Sequence, residues 1–277
     1  MNDVEAPMHA VREVVARALA EDLTPLGDIT AALLPIDSEV TARIVPRQDG
    51  VLAGRPCADE AFAQVDAETK LTWDADDGQE VDAGRPIATV TGDLSSVLTA
   101  ERTALNLLGH LSGVATLTRR YVRATHGQAR IRDTRKTTPG LRAVEKAAVR
   151  AGGGVNHRGN LSDGILLKDN HLAGIGIGEA VRRARLRWPG RAVEIECDDV
   201  GQVRAALAAG ADLVLLDNMS PSQVAEAVAV VEKKMLVEVS GGVTLDSVRA
   251  YADAGADLIS VGAITHSAPI LDIGLDI

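Results

Sequence analysis

The feature that most constrains this chain is an alternation of short strands and helices that repeats from Arg130 onward. Six apolar runs, ARIRDTRKT, GILLKDN, AVEIECDD, ADLVLLDN, MLVEVSGG and ADLISVGA, each end in polar or glycine-rich residues. Between them apolar residues recur at helical spacing. Parallel strands require crossover connections, and helices supply them, so the pattern predicts a parallel sheet. The phrase AGAD occurs at Ala209 to Asp212 and again at Ala254 to Asp257, each time closing a helix and opening a strand. Strand ends near Glu196, Asp217, Ser240 and Gly262 are spaced by about 22 residues, short for a βα unit but sufficient, and the array implies an α/β barrel.

The N-terminal part has a different pattern. Apolar residues recur at helical spacing from Met8 to Asp22 and lead into the turn-forming loop Gly27-Asp28-Ile29-Thr30. Between about Val40 and Val90 lie short β-like runs, ARIVP, GVLAG, LTW and PIATVTG, which predict a small α/β domain. The segment DGQEVDAGRPIATVTG is similar to the hammerhead turn of biotinyl and lipoyl carriers, but it lacks the lysine that a carrier modifies, so a structural role is expected. From Ser95 to about His126 a long amphipathic stretch predicts a pair of helices or one long bent helix. Glycines between Gly174 and Gly178 mark a further connection.

Composition narrows the function. With 277 residues, 46% of them hydrophobic, the chain can bury a sizeable core. A net charge of −10 argues against a nucleic-acid partner, and an aromatic content of 2% argues against base-stacking platforms. Cys57 and Cys197 lie far apart without metal-ligand spacing, which suits a reducing cytoplasm. Acidic residues near the N-terminus do not fit a signal peptide, and no run is long enough to span a membrane. A soluble, cytoplasmic protein is expected.

In parallel βα barrels the loops after the strands' C-terminal ends carry the active site. Asp133, Thr134, Arg135, Lys136, Thr137 and Thr138 follow the first strand, His157 and Arg158 follow a glycine run, and Lys168 ends the next strand. Any one of these charges alone would be read as a solvated surface group. Arg135, Lys136, His157, Arg158 and Lys168 together predict a pocket for a ligand with at least two negative groups, because guanidinium forks and ammonium groups recognise carboxylates and phosphates. On the strand AVEIECDD, alternation sends Glu194, Glu196 and Asp198 to one face, with Glu196 nearest the mouth. Asp217 ends the following strand, so two carboxylates can flank a hydrated magnesium ion; a helix N-cap is the structural alternative for Asp217. Ser240-Gly241-Gly242 and Val261-Gly262-Ala263 end the last two strands, where backbone N–H groups can approach a phosphate.

The string IRDTRKTTPGLRAVEKAAVRAGGGVNHRGNLSDGILLKDNHL resembles the central signature of the quinolinate phosphoribosyltransferase family. GDIT, ERTALNLLGHLSGVAT, VEIECDD, VLLDNMSP, VSGGVT and ISVGAITHSAPILDIGLDI extend the resemblance over nearly the whole chain. It implies an N-terminal α/β sandwich domain over residues 1–112, joined by the tail 268–277, and an incomplete or distorted α/β barrel over 113–267. It also implies phosphoribosyl transfer from phosphoribosyl pyrophosphate to quinolinate with decarboxylation, giving nicotinate mononucleotide for NAD synthesis, in a homodimer with shared sites. By the resemblance, Arg135, His157, Arg158 and Lys168 hold quinolinate, with Arg102 from a second copy. Lys136, Glu196 and Asp217 are the catalytic set, hold the ribose and magnesium pyrophosphate, and include Glu196 and Asp217 as the Mg2+ ligands, through water. Thr134, Ser240, Gly241, Gly242, Val261, Gly262 and Ala263 complete the phosphoribosyl pyrophosphate site. Asn160 departs from the family, many of whose members carry glycine at that place, but asparagine also tolerates the left-handed region. The alternatives are a related phosphoribosyltransferase for nicotinate or another aromatic acid, and a noncatalytic anion-binding or carrier-like protein.

Overall fold

The computed structural model describes residues 4–35 and 38–277. From the N-terminus run helix α1 (Met8–Leu23), strands β1 (Glu39–Pro46) and β2 (Gly50–Val51), helix α2 (Arg55–Val65), strands β3 (Lys70–Trp73), β4 (Glu80–Val81) and β5 (Ala88–Asp93), and the 31-residue helix α3 (Leu94–Ala124). Strand β6 (Arg130–Arg132), helix α4 (Arg142–Ala151), strand β7 (Ile165–Leu167) and helices α5 (Asp169–Leu172) and α6 (Gly176–Arg187) follow. Then come β8 (Val193–Cys197), α7 (Val200–Ala208), β9 (Leu213–Asp217), α8 (Pro221–Val231), β10 (Leu236–Ser240), α9 (Val248–Asp253), β11 (Leu258–Ser260), α10 (Ala263–His266) and β12 (Ile273–Asp276). The amphipathic stretch after Ser95 is therefore a single helix, and α6 begins inside the glycine-rich segment.

The chain forms two compact units, one of residues 1–119, 136–153 and 263–277, the other of residues 120–135 and 154–262. The boundary expected at 112/113 lies inside α3, and α4 belongs to the first unit, where it packs on α1 and α10.

In the first unit an antiparallel sheet has the order β12-β1-β5-β3. Ala42 and Ile44 on β1 and Ala88 and Val90 on β5 are fully buried, the inward half of a two-residue alternation. The tail reaches this sheet across α3, where a Cβ on Gly113 would lie 2.0 Å from the Pro269 carbonyl oxygen and one on Gly109 would lie 2.8 Å from that of Leu271. The glycines of ERTALNLLGHLSG thus admit the backbone that carries β12 to β1.

The second unit holds a six-stranded parallel sheet ordered β6-β11-β10-β9-β8-β7. In chain order this is first, sixth, fifth, fourth, third, second, the cyclic order of a barrel left open between its first two strands. The AGAD repeat has a specific cause here. The Asp212 carboxylate accepts the Val193 N–H at 2.7 Å, and the Asp257 carboxylate accepts the Val237 N–H at 2.9 Å, so each aspartate fastens the start of a neighbouring strand.

Candidate active site

Val155 bridges Arg132 in parallel, and the Val155 N–H donates to the Ile131 carbonyl at 2.8 Å, so residues 155 to 158 run beside the end of β6. The fully buried Asp133 fixes that segment: its carboxylate accepts the His157 N–H at 2.8 Å and the Asn156 side-chain amide at 2.6 Å. Arg158 follows, with a half-buried guanidinium that donates to the Gly164 carbonyl at 3.2 Å. Burial first, and then the neighbouring positive charge of Arg135, push its pKa below the ordinary guanidinium value, while Glu194 opposes them. A guanidinium in protein stays charged regardless, so two crowded cations at a strand end form a place where an anion is stabilised.

On β8 the predicted alternation is present. Val193, Ile195 and Cys197 are fully buried on one face, while Glu194 and Glu196 take the other. The Lys168 ammonium pairs with Glu196, whose side chain is 14% exposed. Ser240 lies level with Asp217 in the β9–β10 register, and Asp217 accepts the Asn218 side-chain amide at 2.7 Å. The N-cap of α8 is Ser220, in a capping box with Gln223, so Asp217 does not serve as that cap. Pairing Glu196 with Leu215 places Glu196 and Asp217 on the same sheet face. Two partly exposed carboxylates with no sulfur or nitrogen donor among them suit a hydrated magnesium ion, which prefers oxygen and retains its waters.

Gly241 shows why glycine stands after Ser240. Its φ is +96°, and a Cβ there would lie 2.2 Å from the Asn218 side-chain oxygen. Gly242 also has positive φ, at +58°. Val261 donates its N–H to the Arg132 carbonyl at 2.9 Å, which places Gly262 just beyond the end of β11.

The structure therefore brings Thr134, Arg135, His157, Arg158, Lys168, Glu196, Asp217, Ser240, Gly241, Gly242, Val261 and Gly262 into one unit. Lys136, Ala263 and Arg102 belong to the other. There Lys136 has its carbonyl capped by the Thr265 hydroxyl at 2.8 Å, and Arg102 stands on α3 with a side chain 65% exposed.

His157 is a buried member of the expected set. Its ring is 8% exposed, Nδ1 accepts the Arg158 N–H at 2.7 Å, and Nε2 lies 3.3 Å from Glu194 and 3.6 Å from Glu238. It faces carboxylates below the mouth. Glu238 and Ser260 were not found by sequence reasoning; the available signal was a lone glutamate at the inward position of the otherwise apolar run LVEVS.

Two family models cover this chain: "Quinolinate phosphoribosyl transferase, C-terminal domain" matches residues 114–276, and the corresponding N-terminal domain matches residues 28–112. The chain belongs to the quinolinate phosphoribosyltransferase family. It is 46% identical to the nicotinate-nucleotide pyrophosphorylase [carboxylating] of Mycobacterium leprae, over 97% of each chain. It is 42% identical to a probable enzyme of the same name from Bacillus subtilis, over 91% of this chain and 88% of that one. The solved nicotinate-nucleotide pyrophosphorylase of Francisella tularensis superposes with a TM-score of 0.96 at 39% identity, over 100% of this chain and 99% of the other. Family membership makes the chain a phosphoribosyltransferase enzyme of pyridine nucleotide biosynthesis. No helix among the described residues is long and apolar enough to cross a membrane.

Proposed function

We propose that this enzyme transfers the phosphoribosyl group of phosphoribosyl pyrophosphate to quinolinate with loss of one carboxylate, releasing nicotinate mononucleotide, pyrophosphate and carbon dioxide. The observation that carries the reading is the crowding of Arg135 and Arg158 at the end of β6, on the same unit as Lys168 and the Glu196–Asp217 pair. Like charges held together need an anionic ligand, and a dicarboxylate answers more of them than a monocarboxylate does. Lys168 is paired with Glu196, so substrate binding exchanges one partner of that ammonium for another.

In this reaction the pyridine nitrogen's lone pair forms a bond to C1 of the ribose. The bond from C1 to pyrophosphate breaks, and its electron pair leaves with pyrophosphate. The bond from ring carbon 2 to its carboxylate then breaks, carbon dioxide departs, and the electron pair stays beside the cationic ring nitrogen until a proton from water takes it. The protein's work is positioning and charge stabilisation. Arg135 and Arg158 hold the ring in line, Lys168 offsets negative charge, and the glycine turns at 241–242 and 262 approach the 5′-phosphate. Glu196 and Asp217 would hold Mg2+, which neutralises the departing pyrophosphate. Arg102, exposed on α3, fits the role of completing the site of a second copy in a homodimer. Both cysteines are buried and free, in keeping with a cytoplasmic enzyme.

The test is product release from phosphoribosyl pyrophosphate and magnesium with quinolinate or nicotinate. Equal amounts of pyrophosphate and carbon dioxide with quinolinate alone are expected. Pyrophosphate release with nicotinate and none with quinolinate would assign the sister activity.

A further inference from the structure

Beneath Arg158 lies a buried charge cluster to which the reaction above gives no role. Glu238 on β10 is fully buried, with one carboxyl oxygen on the Arg132 guanidinium and the other reached by the Ser260 hydroxyl. Glu194 on β8 is 6% exposed, and its Oε1 is buried without a hydrogen-bond partner among the described residues. The His157 ring joins the two: its Nε2 and an oxygen of each carboxyl lie within 4.8 Å of one another. A cleft lined by Arg132, His157, Arg158, Gly164, Glu194 and Leu213 runs past the cluster.

The hydrogen bonds fix the form of the imidazole. Nδ1 accepts the Arg158 N–H, so it carries no proton; the ring's proton sits on Nε2 and is directed at the carboxyl pair. Two carboxyls crowd one paired guanidinium out of water, which is costly for charged groups in a medium of low polarity. Arg132 already occupies the cation's place against Glu238, which disfavours a metal ion there. A proton is the remaining remedy. Burial and the neighbouring Glu194 raise the Glu238 pKa to about 7, against the pull of Arg132, His157 and Ser260.

We propose that Glu238 is a positioning residue for the acid-binding pocket, acting through the His157 ring to hold the Arg158 backbone and so aim the guanidinium that receives the substrate's carboxylate. The inference rests on the assignment of Arg158 to quinolinate. The Glu238 carboxyl lies 3.6 Å from Nε2 on the far side of the ring, the ring supplies the acceptor for the Arg158 N–H, and Asp133 holds the His157 N–H. When Glu238 loses its proton a negative charge appears below a pocket that binds a dianion. Quinolinate binding therefore weakens as pH rises through 7, with Arg132, Glu194 and His157 as the other groups that face Glu238.

The experiment measures kcat and both KM values between pH 6 and 8.5 for the wild-type enzyme, Glu238→Gln and Glu238→Ala. Glutamine keeps the shape and the neutral state, so its quinolinate KM is expected within about twofold of wild type at pH 6 and flat to pH 8.5, where the wild-type KM rises about tenfold. Alanine takes the shared acceptor from Arg132 and Ser260 and removes the carboxyl beside the ring, and is expected to raise the quinolinate KM about tenfold at every pH, with kcat and the other KM little changed. A glutamine variant that keeps the wild-type pH dependence overturns the proposal, even where the alanine variant does not fold. Equal losses in both KM values would reduce Glu238 to a structural role. Absence of wild-type turnover in the same assay would instead remove the substrate assignment.

Discussion

Each unit of the molecule sets a histidine against a fully buried glutamate, and the two settings differ in how completely the carboxylate is answered. In the first unit the Glu145 carboxylate takes His110 Nε2 at 2.8 Å on one oxygen and the Thr138 N–H at 3.1 Å on the other. Each oxygen has a donor, and the pair braces the loop that follows Lys136. In the second unit two carboxyls crowd one guanidinium and one imidazole, and an oxygen of Glu194 has no partner among the described residues. A satisfied buried carboxylate is a fixture, whereas an under-satisfied pair responds to protons.

The sharpest way to break this contrast is to remove Glu145. Glu145→Ala takes the acceptor from the half-buried His110 ring and from the Thr138 N–H, and unfolding free energy is expected to fall by about 2 kcal/mol in denaturant titration. A loss near zero would mean that the loop does not depend on the brace. A second measurement follows the pH dependence of stability in wild type against Glu238→Gln. A carboxyl whose folded pKa is raised from 4.5 to about 7 binds its proton more tightly in the folded state. Its stabilising contribution is complete below pH 4.5 and is lost as pH rises through 7, by about 3 kcal/mol in all. Wild type should lose stability relative to the glutamine variant between pH 5 and 8; parallel curves would mean that Glu238 does not lose a proton in this range.

Arg158→Ala separates the mouth from the cluster below it. Quinolinate affinity should drop about 100-fold through loss of a charge-assisted fork, while phosphoribosyl pyrophosphate binding stays nearly unchanged by calorimetry. Equal losses of both affinities would contradict the assignment. The smallest effect is expected from His110→Ala, about 1 kcal/mol in thermal unfolding, because Thr138 still donates to Glu145.

Much of this was legible in the sequence. The six βα runs match β6 to β11, because a buried parallel strand flanked by helices imposes both the apolar run and the polar C-terminal end. Glu196, Asp217 and the Ser240 turn could be placed for the same reason. Domain membership was less legible: α4 sits between two barrel strands in sequence yet packs on α1, and sequence order does not reveal which core a helix face meets. His157 was legible as part of an anion pocket, neutral or charged, because neighbouring residues in the sequence are cationic. Its contacts with Glu194 and Glu238 were not, because they lie 37 and 81 residues away along the chain. Glu238 was hidden because one glutamate among valines gives no periodic signal, and only the register of β10 beside β11 brings Ser260 to it.

The most direct test of the central claim is simultaneous measurement of pyrophosphate and carbon dioxide from purified enzyme with phosphoribosyl pyrophosphate, magnesium and quinolinate. One carbon dioxide for each pyrophosphate, with neither product from nicotinate, is the predicted result. Pyrophosphate without carbon dioxide, or no turnover of quinolinate, would contradict the reading of Arg135 and Arg158 as the holders of an aromatic diacid.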